Sequence, residues 1–184
     1  MSLNIPVSFE FFPPKTAEGT EKLANAVTAL AEFKPEFFSC TYGAGGSTQN
    51  GTFTTVAAIR ERGFDAAPHL SCVGSTHAGI LEILQHLKAQ NVRRIVALRG
   101  DLPSGMGGMG EFHYASELVS FIREQTGDWF HIEVAAYPEY HPQSCSPADD
   151  LKHFVAKMHA GANSAITQYF YNADAYARFV DAAR

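Results

Sequence analysis

The sequence predicts an α/β protein whose parallel sheet curls into a (β/α)₈ barrel, with about six of the eight βα units in this chain. Three observations lead to this prediction. Short apolar runs alternate with helical segments, the runs are apolar on both faces, and each run ends in polar side chains. Buried parallel strands are apolar on both faces, and strand–helix alternation is typical of βαβ units.

Six runs rich in β-branched and aromatic residues have the length of strands. In chain order they are PVSFEFF, EFFSCTYG, APHLSCVG, RRIVALRGD, HIEVAAYPE and SAITQYF. Helices are predicted between them, because apolar residues such as Ile80, Leu84 and Leu87 recur at helical spacing. The predicted helices cover about 19–32, 50–62, 77–90, 114–125, 148–160 and 173–184.

Polar side chains stand at the end of every predicted strand. They are Glu10, Thr41 with Tyr42, His69, Arg99 with Asp101, Tyr137 with Glu139, and Gln168. A barrel would bring all of them to one mouth, whereas an open doubly wound sheet would spread them along an edge. We therefore favour the barrel. The alternative is that polarity simply resumes where strands end.

Length and composition limit the classes of protein to consider. A complete barrel needs about 250 residues, so we expect 184 residues to form a single domain, 1–184, that lacks its C-terminal units. A net charge of −5 and no basic cluster beyond NVRRI argue against nucleic acid. Because no apolar run reaches about 20 residues and the N-terminus lacks a signal pattern, we expect no membrane and a cytoplasmic location.

Two motifs predict less than they first suggest. The segment Gly105–Gly110, GMGGMG, satisfies G-x-G-x-x-G but does not sit at a strand-to-helix turn, so we interpret it as a flexible loop over the mouth. The histidines show no metal-ligand spacing, and we expect no metal. A metal-dependent hydrolase built on His69, Asp101 and His141 is the weaker alternative.

Glu10 lies within VSFEFFPPK, among phenylalanines and a valine. An unpaired ionised carboxylate is costly to bury. Either Glu10 faces water, or its environment is used for chemistry. An apolar setting would raise its pKa, with Phe9, Phe11 and Phe12 as candidate contributors. Because alternate side chains of a strand point to opposite faces, the sequence does not assign which of them form its walls.

Six blocks of sequence carry a family resemblance. SFEFFPPK, TYGAGGS, APHLSC, IVALRGDLP, AAYPEYHP and AGANSAITQYFY occur in an order and spacing in which the chain resembles the methylenetetrahydrofolate reductase family. The resemblance implies a barrel that holds FAD at its mouth. It also implies reduction of 5,10-methylenetetrahydrofolate to 5-methyltetrahydrofolate by NADH or NADPH, in two half-reactions at one site, and a homo-oligomer.

The resemblance also implies roles for individual residues. Glu10 matches the family's general acid, Asp101 a carboxylate near the flavin and the folate pterin, and Gln168 a substrate-binding amide. His153 and Ala156 stand where the family is variable and are not assigned. The flavin contacts carried over are Thr41, Tyr42, Ala44, His69, Arg99, Gly100, Asp101, Tyr114, Ala115, Tyr137, His141, Asp150 and Lys157.

One further alternative follows from the length. Family catalytic domains continue for two more barrel units, whereas this chain ends inside its sixth helix. A non-catalytic fragment that binds flavin or a partner without turnover is therefore the second hypothesis.

Overall fold

The computed structural model describes residues 6–42, 49–101 and 110–184. Strands and helices alternate along this part of the chain. The strands are β1 (Ser8–Phe11), β2 (Phe37–Cys40), β3 (Ala66–Ser71), β4 (Arg94–Leu98), β5 (His131–Ala136) and β6 (Ser164–Thr167). The helices are α1 (Ala17–Leu30), α2 (Gln49–Glu61), α3 (His77–Ala89), α4 (Ala115–Thr126), α5 (Pro147–His159) and α6 (Ala173–Ala182). All twelve predicted elements are confirmed.

Local sequence sets where several helices begin. Thr16, Thr76 and Ser146 each accept a hydrogen bond from the backbone N–H three residues further on, which satisfies a donor that the first helical turn leaves free. Pro147 then opens α5, where its missing N–H costs nothing. These signals fix the chain's turn from the carboxyl end of a strand into the next helix.

The order of the strands distinguishes a barrel from an open sheet. All neighbouring pairs are parallel, and the order is β1-β2-β3-β4-β5-β6. A doubly wound sheet reverses its order at a switch point. This sheet has no reversal among its six described strands, so it has the topology of a barrel wall, as predicted.

Alternate side chains on the strands face different surroundings. One face packs against the helices and forms the main core, which includes Phe38 of β2, Ile95 of β4 and Val134 of β5. The opposite face carries a smaller apolar cluster of Phe37, Ala67 and Val96, with Leu98 and Ile166 against it. The second face is the interior of the curled sheet.

A cavity confirms that the sheet curls. It has a volume of about 490 Å³ and is lined both by Ser8 of the first strand and by Ser164 and Ile166 of the last. The two edge strands of a flat sheet could not line one cavity. Among the described residues, none of the helices has the length and apolar character needed to cross a bilayer.

Candidate active site

We call the carboxyl ends of the strands, together with the loops that follow them, the mouth of the sheet. Because all strands are parallel, their carboxyl ends lie at the same end of the barrel wall. The predicted site residues occupy β1, β3, the segments after β2, β4, β5 and β6, and the helices α4 and α5. Ala44 and the glycine-rich segment up to residue 109 lie outside the described residues.

Glu10 contacts His69 inside the barrel wall. Oε2 of Glu10 lies 3.2 Å from Nε2 of His69, although β2 separates their strands in the sheet. The His69 side chain is only 10% exposed, whereas that of Glu10 is 48% exposed. The curl of the sheet therefore brings together two side chains from strands that are not neighbours.

This contact reverses the expected pKa shift of Glu10. The pKa of Glu10 is lowered, chiefly by its interaction with His69, while partial burial acts in the opposite direction. The phenylalanines do not form the expected apolar wall. Phe9 and Phe11 face the helix side and stack on Phe38, and Phe12 is 79% exposed. The prediction of a raised pKa was wrong because side chains alternate along a strand and the aromatic ones take the other face.

The segment after β4 is held tightly against β3. The hydroxyl of Ser71 donates to the carbonyl oxygen of Arg99 at 3.0 Å. Gly100 follows with a φ of +83°, a conformation that glycine adopts readily. The guanidinium of Arg99 donates to Oε1 of Gln143 in the loop after β5. Asp101, which follows Gly100, is exposed.

The loop after β5 carries an aromatic pair, and the first turn of α5 carries a buried carboxylate. The rings of Tyr137 and His141 meet edge to face with centroids 4.6 Å apart. Asp150, in the first turn of α5, is buried and accepts a hydrogen bond of 3.0 Å from the hydroxyl of Ser144. The pKa of Tyr137 is raised by burial and then by the charges of Asp101 and Asp150. The charges of both carboxylates therefore act on the same phenol.

Lys157 has an unusual environment for a lysine. Its ammonium group donates to the carbonyl oxygen of Ala135 in β5. Burial lowers its pKa to about 8, against the opposing effect of Asp150. The sequence alone offered no sign of this, because an isolated lysine in a helix is normally solvated.

The remaining predicted residues lie at the mouth with local partners. Thr41 accepts a hydrogen bond of 2.7 Å from the Thr52 hydroxyl, and burial raises the pKa of Tyr42. Oε1 of Gln168 accepts from the backbone N–H of Tyr169 at 3.0 Å. Among the described residues, no hydrogen bond or ion pair joins Asp101 to Glu10 or to Gln168, so their shared site stays a prediction.

The N-terminus of α4 carries two of the predicted site residues. Tyr114 caps this helix and Ala115 is its first residue. The Tyr114 ring stacks on His153 of α5, with centroids 5.2 Å apart and an angle of 20° between the planes. His153, left unassigned from the sequence, thus contacts a predicted flavin residue.

Sequence reasoning missed two polar residues of the β5–α5 loop. Gln143 accepts a hydrogen bond from Arg99, and Ser144 donates one to Asp150. The available signal was position, because loops at the carboxyl ends of barrel strands carry functional residues. They were missed because Arg99, the partner of Gln143, is 44 residues away in sequence, and because the contact of Ser144 with Asp150 follows no periodic pattern.

A second polar cluster lies at the opposite, amino end of the barrel interior. Arg94 of β4 pairs with Glu133 of β5. The Ser164 hydroxyl donates to Glu133 at 2.6 Å, and Nε2 of His131 lies 2.6 Å from the same hydroxyl. Because the Ser164 hydroxyl donates its hydrogen to Glu133, the imidazole of His131 is the donor in its contact with Ser164. Within the part of the chain that the structure describes, no group of three His, Cys, Asp or Glu residues could hold a metal ion.

Comparisons with known proteins identify the family of this chain. A family model described as methylenetetrahydrofolate reductase matches residues 2–184. The 5,10-methylenetetrahydrofolate reductase of Pectobacterium carotovorum subsp. carotovorum is 46% identical over 96% of this chain and 58% of its own length. That of Escherichia coli (strain K12) is 45% identical over 96% of this chain and 59% of its own length.

Solved structures show the same fold at low sequence identity. An uncharacterized protein from Clostridium thermocellum, described as binding two copies of 5-methyl-5,6,7,8-tetrahydrofolic acid, has a TM-score of 0.70 at 13% identity. The match covers 97% of this chain and 59% of that one. This chain spans less than 60% of the two bacterial reductases described above. With the family model matched along nearly its whole length, the chain belongs to the methylenetetrahydrofolate reductase family.

Proposed function

We propose that residues 1–184 act as one flavin-binding unit that reduces 5,10-methylenetetrahydrofolate to 5-methyltetrahydrofolate with electrons from NADH or NADPH. Family membership supports the class of reaction. The observation that carries the proposal is the Glu10–His69 contact, which brings an acid and an imidazole from separate strands into the interior beside the mouth.

The residues at the mouth fit a flavin. FAD combines an apolar, planar ring with polar edges and a negative diphosphate. Arg99 supplies a cation, and Tyr137 with His141 supplies an aromatic pair. Nε2 of His69 is buried and has no well-aligned hydrogen-bond partner among the described residues. When bound, the flavin would accept hydride from the nicotinamide and pass it to the folate.

The protein's own groups have separate tasks in this proposal. Glu10 would donate a proton to a nitrogen of the five-membered folate ring, whose opening gives a cation that hydride can attack. Asp101 and Gln168 would bind the substrate, since a carboxylate and an amide suit the amino and ring nitrogens of a pterin. The other predicted contacts would orient the flavin.

Visible absorbance tests the proposal directly. The purified protein should turn yellow when FAD is supplied, and the flavin band should bleach with NADH or NADPH. Methylenetetrahydrofolate should then restore it. A protein that stays colourless would overturn the proposal for this chain. FAD retained without folate-dependent reoxidation would favour the alternative, a binding fragment without turnover.

Separating the two half-reactions tests the role of Glu10. Glu10→Gln should leave flavin reduction by nicotinamide nearly normal and suppress reoxidation by folate, by a factor of at least about 100. Glu21→Gln, an exposed glutamate of α1, is the matched control and should change neither. Equal loss in both half-reactions would refute the assigned role. Self-association, which the family also implies, can be checked by sedimentation.

A further inference from the structure

The pair of Glu10 and His69 raises a question about the proposed acid. A general acid must carry a proton, but the contact with His69 at 3.2 Å favours the ionised carboxylate. Nε2 of His69 is enclosed by protein and has no second polar partner among the described residues. The imidazole of His69 therefore faces Glu10 with its Nε2 nitrogen.

The other titratable neighbour of Glu10 does not compensate for His69. The titratable groups that interact with Glu10 in the described part of the chain are His69 from β3 and the thiol of Cys40 from β2. Burial raises the pKa of that thiol to about 11, so it is uncharged near neutral pH. The protonation of Glu10 is accordingly set by His69 and by solvent at its exposed half.

We propose that His69 is a positioning residue that decides whether Glu10 carries its proton. While Nε2 faces Glu10, the carboxyl group is ionised; when Nε2 is engaged by another acceptor, Oε2 of Glu10 takes up a proton from solvent. The O–H bond formed is the one that would later break in proton donation to the substrate.

This inference rests on the proposed function, in which His69 also contacts the flavin. Because Nε2 is enclosed and faces Glu10, the imidazole must turn away from Glu10 before this nitrogen can donate to an acceptor there. Flavin occupancy and protonation of Glu10 are then linked, and linkage is reciprocal: each favours the other by the same factor. The site would become acidic at Glu10 only when it is loaded.

The first test uses the chain without any ligand. Glutamate labelled with carbon-13 at the carboxyl group allows the Glu10 resonance to be titrated, with Glu10→Gln used for its assignment. In His69→Gln the midpoint should move upward by about one pH unit. His153→Gln removes an imidazole that faces Asp149 on α5 and should leave the midpoint unchanged. An unchanged midpoint in folded His69→Gln would overturn the proposal.

A second measurement avoids replacing the buried histidine. In the wild-type chain, the nitrogen-15 signal of Nε2 in His69 should show a step at the midpoint of Glu10. Glu10→Gln should remove that step. If Nε2 does not sense the titration of Glu10, the two groups are not coupled and the proposal fails.

Adding FAD distinguishes this inference from the proposed function. The Glu10 midpoint should rise in the presence of FAD, and calorimetry in buffers of different ionisation enthalpy should show proton uptake on binding. FAD that binds without moving the midpoint would overturn the link while leaving the flavin site intact. No binding at all would instead overturn the proposed function, and the experiments on the empty chain would still decide the coupling between the two residues.

Discussion

A β-carbon at Gly100 would lie 1.9 Å from the hydroxyl oxygen of Ser71. This close approach joins the end of β4 to β3, and it is reinforced by the hydrogen bond from the same hydroxyl to the carbonyl of Arg99. Arg99 and Asp101 flank the glycine. The backbone that carries two predicted site residues is therefore fixed by a position where no side chain fits.

Gly100→Ala should destabilise the protein by roughly 2–4 kcal/mol, because it combines a left-handed backbone with overpacking. Urea unfolding measures the loss. Gly63→Ala is the matched control, since Gly63 has a φ of +88° but nothing within 4 Å of a β-carbon. It should cost only about 1 kcal/mol. Equal losses in the two variants would show that the contact with Ser71 is unimportant.

Glu133→Gln should destabilise the protein by about 3 kcal/mol. The change removes the charge that pairs with Arg94 in a site where the Glu133 side chain is 5% exposed, and an unpaired buried cation is costly. The midpoint of urea unfolding reports the effect. Glu18→Gln removes an exposed pair with Lys22 and should cost no more than about 0.5 kcal/mol. A loss as small as this control would contradict the assigned pairing.

Protonation of His131 should weaken the fold as the pH falls. Burial, followed by the charge of Arg94, lowers its pKa below the ordinary value of 6.5. A histidine with a lowered pKa in the folded state stabilises the protein above pH 6.5, and this contribution is lost as the pH falls through the folded pKa. Urea unfolding from about pH 8 to about pH 5 should show a steeper decline for the wild type than for His131→Gln. Parallel curves would contradict the shift.

Lys157 should make stability depend on pH in the alkaline range. Its pKa is lowered from 10.5 to about 8, so the folded state favours the neutral amine. The neutral amine therefore stabilises the folded state fully above pH 10.5, and this contribution is lost as the pH falls through 8. The free energy of unfolding should change by roughly 3 kcal/mol across this range. Lys157→Met should abolish the difference when unfolding is followed across this range. Lys152→Met, at an exposed position of the same helix, should retain it.

The candidate site could be located from the sequence only as a set of strand ends. Arg99 and Tyr137 were expected at the mouth because they stand at the ends of predicted strands, whereas Asp150 was assigned only from the family resemblance. Gln143, the partner of Arg99, and Ser144, the partner of Asp150, were not predicted. Hydrogen bonds of this kind produce no periodic pattern in the sequence. The roles assigned to all these residues stay predictions, and Ala44 falls outside the described residues.

The sequence by itself determined the local elements and their order. Apolar runs, helical spacing and caps such as Thr16 and Ser146 act over a few residues, so each can be recognised without the rest of the chain. The resemblance to the reductase family likewise rested on short blocks of residues.

Only the tertiary structure decided which side chains meet. Glu10 and His69 are far apart in sequence and belong to strands that are not neighbours, yet the curl of the sheet brings their polar atoms to 3.2 Å. Phe9 and Phe11, adjacent to Glu10 in sequence, turn instead to the helix side. The pKa of a carboxyl group depends on the charges and the burial around it in space. The direction of the pKa shift of Glu10 could therefore not be predicted from the residues next to it in sequence.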